Sequence, residues 1–196
     1  MSKTTLILLS ILGAILLAVF AVGAAGVSIY NGFVGSEQAV DSQWAQVQNV
    51  YQRRADLIPN LVSTVSGAAN FEKSTLVEVT EARASIGKVQ INAQNAPTDA
   101  AKFAEFEKAQ GQLSSALSRL LVVSEKYPEL KANANFRDLQ AQIEGSENRI
   151  TVERGRFNQT VQTYNTAVQT FPAVIIAGFT GRHARPYFQA AAGSEA

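Results

Sequence analysis

Apolar residues follow two patterns along this chain. The first is continuous. No charge interrupts the stretch between Lys3 and Glu37, and residues 6–22 read "LILLSILGAILLAVFAV". About 25 such residues at ~1.5 Å rise cover ~37 Å, enough to cross a bilayer with some tilt. A cleaved signal peptide would use Lys3 as its basic end and residues 21–26 as its cleavage zone. The apolar core is long for that role, so residues 1–30 are expected to form a retained transmembrane anchor.

The second pattern is periodic. Val40, Trp44, Val47, Tyr51, Ile58, Leu61 and Val65 step by three or four, apart from one gap of seven that spans Ala55. That spacing is one face of a helix. The stripe continues through Leu76, Val79, Ala82, Ile86 and Val89, with a weak point at residues 67–70. "QINAQNAPTDAA" reads as a loop, with Thr98 or Asp99 as the cap of a second helix. Phe103, Phe106, Leu113, Leu117, Leu120 and Leu121 mark that helix's buried side. Pro128 stops it near Tyr127, and Asn133 or Asn135 can cap the next. In the third helix Phe136, Ile143, Ile150, Phe157, Tyr164 and Phe171 recur every seven residues, as in a coiled coil. Leu139, Val161 and Val168 fill half-steps, and Pro172 ends or kinks it.

The expected fold is therefore all-α: an N-terminal transmembrane helix, then a long antiparallel bundle over residues 31–172 with three main helices. An apolar segment and a flexible tail, 173–196, follow. Short connections make neighbouring helices antiparallel. Pro59 sits inside the first helix, where it removes a hydrogen bond to the carbonyl of Ala55. The apolar phase holds from Tyr51 through Ile58 to Val65, so the helix is expected to be kinked but continuous, with the freed carbonyl met by water or an arginine.

Charge and composition narrow the function. The 196-residue chain has a net charge of +1, and without Lys3 its basic and acidic residues balance. That mixture lacks the basic stripe of a nucleic-acid binder. The absence of cysteine excludes disulfides, thiol nucleophiles and thiolate metal sites. His183 is the sole histidine; beside Arg182 and Arg185 it reads as a solvated tail residue, and no metal or cofactor is expected. HExxH, a phosphate-cradling glycine loop and a nucleophile elbow are absent. Asn158, Gln159 and Thr160 form a sequon read as chance. The positive-inside bias, resting on Lys3 and the α-amino group, puts the N-terminus in the cytoplasm and the rest outside it.

Two segments resemble the LemA family. They are "QRRADLIPNLVSTVSG" followed by "VTEARAS", and "YPELKANANFRDLQAQIEGSENRITVERGRFNQTVQTYNTAVQTFPAVIIAGFTG". The resemblance covers nearly everything from Tyr30 to Phe188. It implies a bacterial inner-membrane protein with one N-terminal span, an antiparallel helical bundle and no established enzymatic activity. Through the genes that neighbour the family's, it also implies an envelope protease or a TPM-domain protein as a partner. "SGAANFEKS" departs from the family in lacking the usual tyrosine and histidine, and "GRHARPYF" is more basic than usual.

Polar residues on or beside the apolar seams are the candidate site: Arg53, Arg54 and Asp56 in the first helix, and Glu147, Arg154 and Asn158 in the third. A buried arginine needs a carboxylate, and such a pair fixes helix register. The layer reads as a structural lock or as a ligand-binding or proton-handling site; the lock is favoured. Phe171, Val174, Ile175, Ile176 and Phe179 lie in an uncharged run, 171–181, too short to span a bilayer. That run could pack on the bundle, dip into the membrane interface or contact another copy. Three helices starting at the membrane end away from it, which favours the distal or oligomer contact. The expected function is a non-enzymatic, membrane-anchored scaffold of the bacterial envelope, a homo-oligomer. The alternatives are an adaptor for a membrane protease or other envelope protein, and a ligand-binding domain built on the Arg/Asp/Glu layer.

Overall fold

The computed structural model describes residues 3–68, 71–89 and 95–189. Among them run six helices and no strand: α1 (Lys3–Ser66), α2 (Lys73–Lys88), α3 (Ala100–Ser124), α4 (Pro128–Ala132), α5 (Ala134–Gln169) and α6 (Ala173–Phe179). Residues 69 and 70 of the expected weak point, 90–94 of the expected loop and 190–196 of the tail lie outside the described residues. The chain forms two units. Unit 1 holds Met1–Ala39 and Gln162–Ala184; unit 2 holds Val40–Val161 and Arg185–Ala196.

Helix α1 is long and apolar enough to cross a membrane, which makes its N-terminal part a candidate membrane anchor. Its residues from Leu6 to Val22 expose their large side chains in an unbroken series. Helix α1 also runs through Pro59 without a break. The carbonyl that Pro59 leaves without a helical donor is that of Ala55. Arg83 of α2 donates to it from Nε at 3.3 Å.

Unit 2 departs from the expected three passes. The chain turns after Ser66, and the positions Leu76, Val79, Ala82 and Ile86 belong to a separate reversed helix, α2. Its direction is fixed at both faces. Against α3, Glu72 lies near Lys126 and Glu78 binds Arg119 at 3.0 Å; against α1, Arg83 reaches Ala55. Helix α3 then runs parallel to α1, since Trp44 meets Phe103 and Phe106 while Arg54 meets Gln110 and Ser114. Helix α5 runs back again, because Glu147 meets Arg54 while Phe157 meets Trp44. Unit 2 is thus an up-down-up-down bundle of four main passes among the described residues, and α5 leaves it at the end where Val40 enters.

Caps explain where two of these helices start. Asp99 accepts from the amides of Ala101 and Lys102 at 2.8 and 3.3 Å, satisfying two N-terminal donors of α3. Asn133 accepts from Phe136 at 3.2 Å and starts α5 after the short turn of α4.

One half of the core of unit 2 is aliphatic and joins Ile58, Leu61 and Val65 to Leu113, Leu117, Leu120 and Ile143. The other half is aromatic and centres on Trp44, whose ring lies 5.4 Å from Phe106 and 5.5 Å from Phe157. Phe136, Ile143, Ile150, Phe157 and Tyr164 of the seven-residue series are buried, whereas Phe171 is 77% exposed. Residues 185–189, expected in a flexible tail, instead belong to unit 2. Phe188 is buried there, 4.7 Å from Phe103 and stacked on Trp44. Replacing Trp44 with Ala removes the ring these helices share. It is expected to cost ~3–5 kcal/mol, read as a lower urea midpoint when helix loss is followed by circular dichroism.

Candidate functional site

Arg54 comes three residues after Tyr51 and four before Ile58, so it fills the gap in the apolar stripe of α1. Its side chain is fully buried. A guanidinium there must find acceptors, because an unpaired buried charge is strongly unfavourable. It finds them on two other helices. One terminal nitrogen donates to Ser114 at 2.7 Å and to Glu147, its ion-pair partner on α5; the other donates to the side-chain oxygen of Gln110. Ser114 donates to the same carboxylate at 3.3 Å. The guanidinium also lies over the Tyr51 ring, 5.3 Å from its centroid. Arg54 Nε has no hydrogen-bond acceptor among the described residues.

The other expected members of this layer lie elsewhere. Arg53 and Asp56 are exposed, turned away from the seam by one and two helical steps, and Asp56 accepts locally from Gln52 at 2.7 Å. Arg154 and Asn158 hold the C-terminal segment 185–189. Asn158 pairs with the backbone of Phe188 in both directions, each at 2.8 Å. Arg154 donates to Glu107 at 3.1 Å and to the carbonyl of Gln189 at 2.8 Å, with its guanidinium 4.6 Å over the Phe188 ring. Glu107 in turn accepts from the Gln189 amide at 3.1 Å. At the start of this segment, Arg185 donates to Asp41 and to the Ala96 carbonyl, while Asp41 accepts from the Ala96 amide.

Gln110, Ser114 and Glu107 were missed in the sequence. Gln110 occupies the helical step between Phe106 and Leu113, where an apolar residue would be expected, so the signal for it was present. Phe188 and Asp41 carried no comparable periodic signal.

Tyr51, Arg54, Glu107, Glu147, Arg154 and Gln189 line a cleft of about 340 Å³. Burial holds the Tyr51 phenol above its ordinary 10.0, while Arg154 and Arg54 pull the other way. Burial also pushes the Glu107 carboxyl above its ordinary 4.5, against the opposing pull of the Gln189 amide and Arg154. Among the described residues, no cluster of three or more histidine or acidic side chains could hold a metal. The arrangement can hold three helices and the C-terminal segment in register.

The family described as the LemA family matches residues 43–196. The chain is 24% identical to the magnetosome protein MamQ of Magnetospirillum gryphiswaldense over 81% of this chain and 64% of that protein. It is 26% identical to the magnetosome protein MamQ 2 of Paramagnetospirillum magneticum over 82% and 64%. Protein LemA of Metamycoplasma hominis is 21% identical over 72% and 60%. The chain therefore spans a little under two thirds of the length of these curated relatives.

Two predictions test the polar groups. Arg54→Ala takes the guanidinium donor from Glu147 and Gln110 and is expected to cost about 3 kcal/mol, near the low end for a broken buried pair because Glu147 keeps some water and the Ser114 hydroxyl. Arg54→Met combined with Glu147→Gln should recover part of that loss in urea unfolding, since no ionised group is then left alone. For Glu107, a carboxyl raised in the folded state contributes stability that is complete below about 4.5 and declines as pH rises through the folded value. Glu107→Gln keeps an acceptor but cannot ionise. Its melting temperature should match the unsubstituted chain in acid and gain on it as pH rises to neutrality.

Proposed function

The chain belongs to the LemA family, and on that premise we propose that it is a non-enzymatic, membrane-anchored helical scaffold of the bacterial envelope that self-associates. The observation that carries the reading is the use made of its polar side chains. Arg54, Glu147, Gln110 and Ser114 bind one another across three helices, and Arg154, Glu107 and Asn158 bind the C-terminal segment. Groups committed to holding helices together are poorly placed to turn over a substrate. The uncharged N-terminal part of α1 supports the anchor. The names of the relatives refer to a magnetosome and to the LemA family and specify no reaction, which agrees with a structural role.

A second reading, a ligand-binding domain, has one specific support: Arg54 Nε lacks an acceptor beside a cleft. Light scattering on the full chain extracted in detergent tests the first reading. The expected particle contains several copies. A mass of one chain with its micelle would remove self-association from the proposal.

A further inference from the structure

The C-terminal apolar run lies beside α1 in unit 1, which corrects the distal position expected from three passes. Ile176 Cδ1 sits over Gly26, 3.9 Å from where a side chain there would begin. The run ends in a cap of Schellman type. Arg182 donates its amide to the Ala177 carbonyl at 2.9 Å, and Gly181 adopts a positive φ of 67° that a side chain would resist. That reversal brings the Arg182 guanidinium 4.7 Å over the Tyr30 ring and pairs it with Glu37.

The distribution of size on α6 is inverted relative to a helix that packs on a core. Its inward positions are Ala173, Ile176 and Ala177, and Ala177 is buried. Its outward positions are Val174, Ile175 and Phe179, with Phe171 just before it, and Phe179 is 88% exposed. Large apolar side chains turned outward need an apolar surrounding.

The charges of unit 1 indicate what that surrounding is. Glu37 is the first charge after Lys3 on α1, and Arg182 is the first after Arg156 on the returning chain. The two bind each other at 3.6 Å, so the uncharged zones of both segments end at one level. Gly26 lies eleven residues before Glu37, ~16 Å down the helix axis. The exposed apolar stretch of α1 from Leu6 to Val27 covers ~33 Å, close to a hydrocarbon core of ~30 Å. Helix α6 therefore sits at the upper edge of that stretch, at the level of Gly26, and Val22 and Val27 of α1 are also exposed at that edge. Tyr30 and Arg182 stand above it, as aromatic and cationic groups do at headgroup level.

We propose that α6 is an interfacial helix that lies in the same lipid leaflet as the end of the α1 span, with Phe171, Val174, Ile175 and Phe179 among the acyl chains. Arg182, paired with Glu37 and stacked on Tyr30, marks the water boundary. The polypeptide then holds the bilayer at two points, through a span and through a short in-plane helix. The inference rests on the reading of α1 as a membrane span.

The chain has no cysteine, so single nitroxide labels can be placed without altering any other site. Full-length Phe179→Cys, Phe171→Cys, Leu16→Cys and Val152→Cys variants, labelled and reconstituted in phosphatidylcholine and phosphatidylglycerol vesicles, are compared by their collisions with oxygen and with a water-soluble nickel chelate. Leu16 reports the span, and Val152 reports an exposed position of unit 2. The expected result at 179 and 171 is a nickel accessibility several-fold below that at 152, with oxygen accessibility approaching that at 16. Labels at 179 and 171 that meet the nickel chelate as freely as 152, with 16 still protected, would overturn the interfacial helix and leave the span standing. Protection from both reagents with spin–spin broadening would overturn it in favour of a second copy on this face. Exposure of 16 to the nickel chelate would overturn the span itself and α6's role with it.

Discussion

Unit 2 is organised around a positive charge that it must bury. Arg54 stands at a core position of α1 where every neighbouring step is apolar, and its guanidinium is cut off from water. Such a charge is tolerable only when its hydrogen bonds are met by well-placed partners. Those partners sit on different helices, Gln110 and Ser114 on α3 and Glu147 on α5. Sliding either helix by one turn moves its acceptors ~5.4 Å away. The apolar layers above and below would tolerate such a slip better, because aliphatic contacts have little direction. Arg54 thus selects one register among several that the apolar pattern alone would allow.

The same logic recurs at the margins of unit 2, each time with a polar group left incomplete by the backbone. Pro59 leaves the Ala55 carbonyl without a helical donor, and Arg83 of α2 supplies one. The irregular segment 185–189 has no helix or sheet to satisfy its amides and carbonyls. Asn158, Arg154 and Glu107 do so at Phe188 and Gln189, and Phe188 enters the aromatic core between their contacts. Directional bonds decide where segments go, and apolar burial then stabilises the placement.

The helical class, the N-terminal apolar helix, most of the buried face and the presence of Arg54 and Glu147 among the polar groups of the seams follow from spacing in the sequence; which of those groups pair does not. The fourth pass did not. Val65 and Leu76 are eleven residues apart, about three helical turns, so the stripe keeps its phase whether the chain continues or reverses. Periodicity carries no direction. That single ambiguity also misplaced the C-terminal apolar run, since an even number of passes returns the chain to its starting end. Arg53 and Asp56 were drawn toward the seam by adjacency, yet neighbours on a helix point ~100° apart. The clamp on Phe188 was illegible for a different reason: it is built from contacts between residues far apart in the chain, and a single lone aromatic has no period to read.

That clamp bears on the order in which the molecule is assembled during synthesis. Arg185 and Asp41 are separated by 144 positions, and Asn158 by 30 from Phe188. Contacts of such long range close late, after local helices have formed. A nascent chain can pair α1, α2 and α3 while α5 is still in the ribosome. The aromatic cluster around Trp44 then stays open on one side until Phe188 has been made and has docked. Closure of that cluster therefore waits on Phe188, and a chain stopped before it leaves the aromatic core open on that side, the kind of exposed apolar surface that makes partly folded chains prone to aggregate.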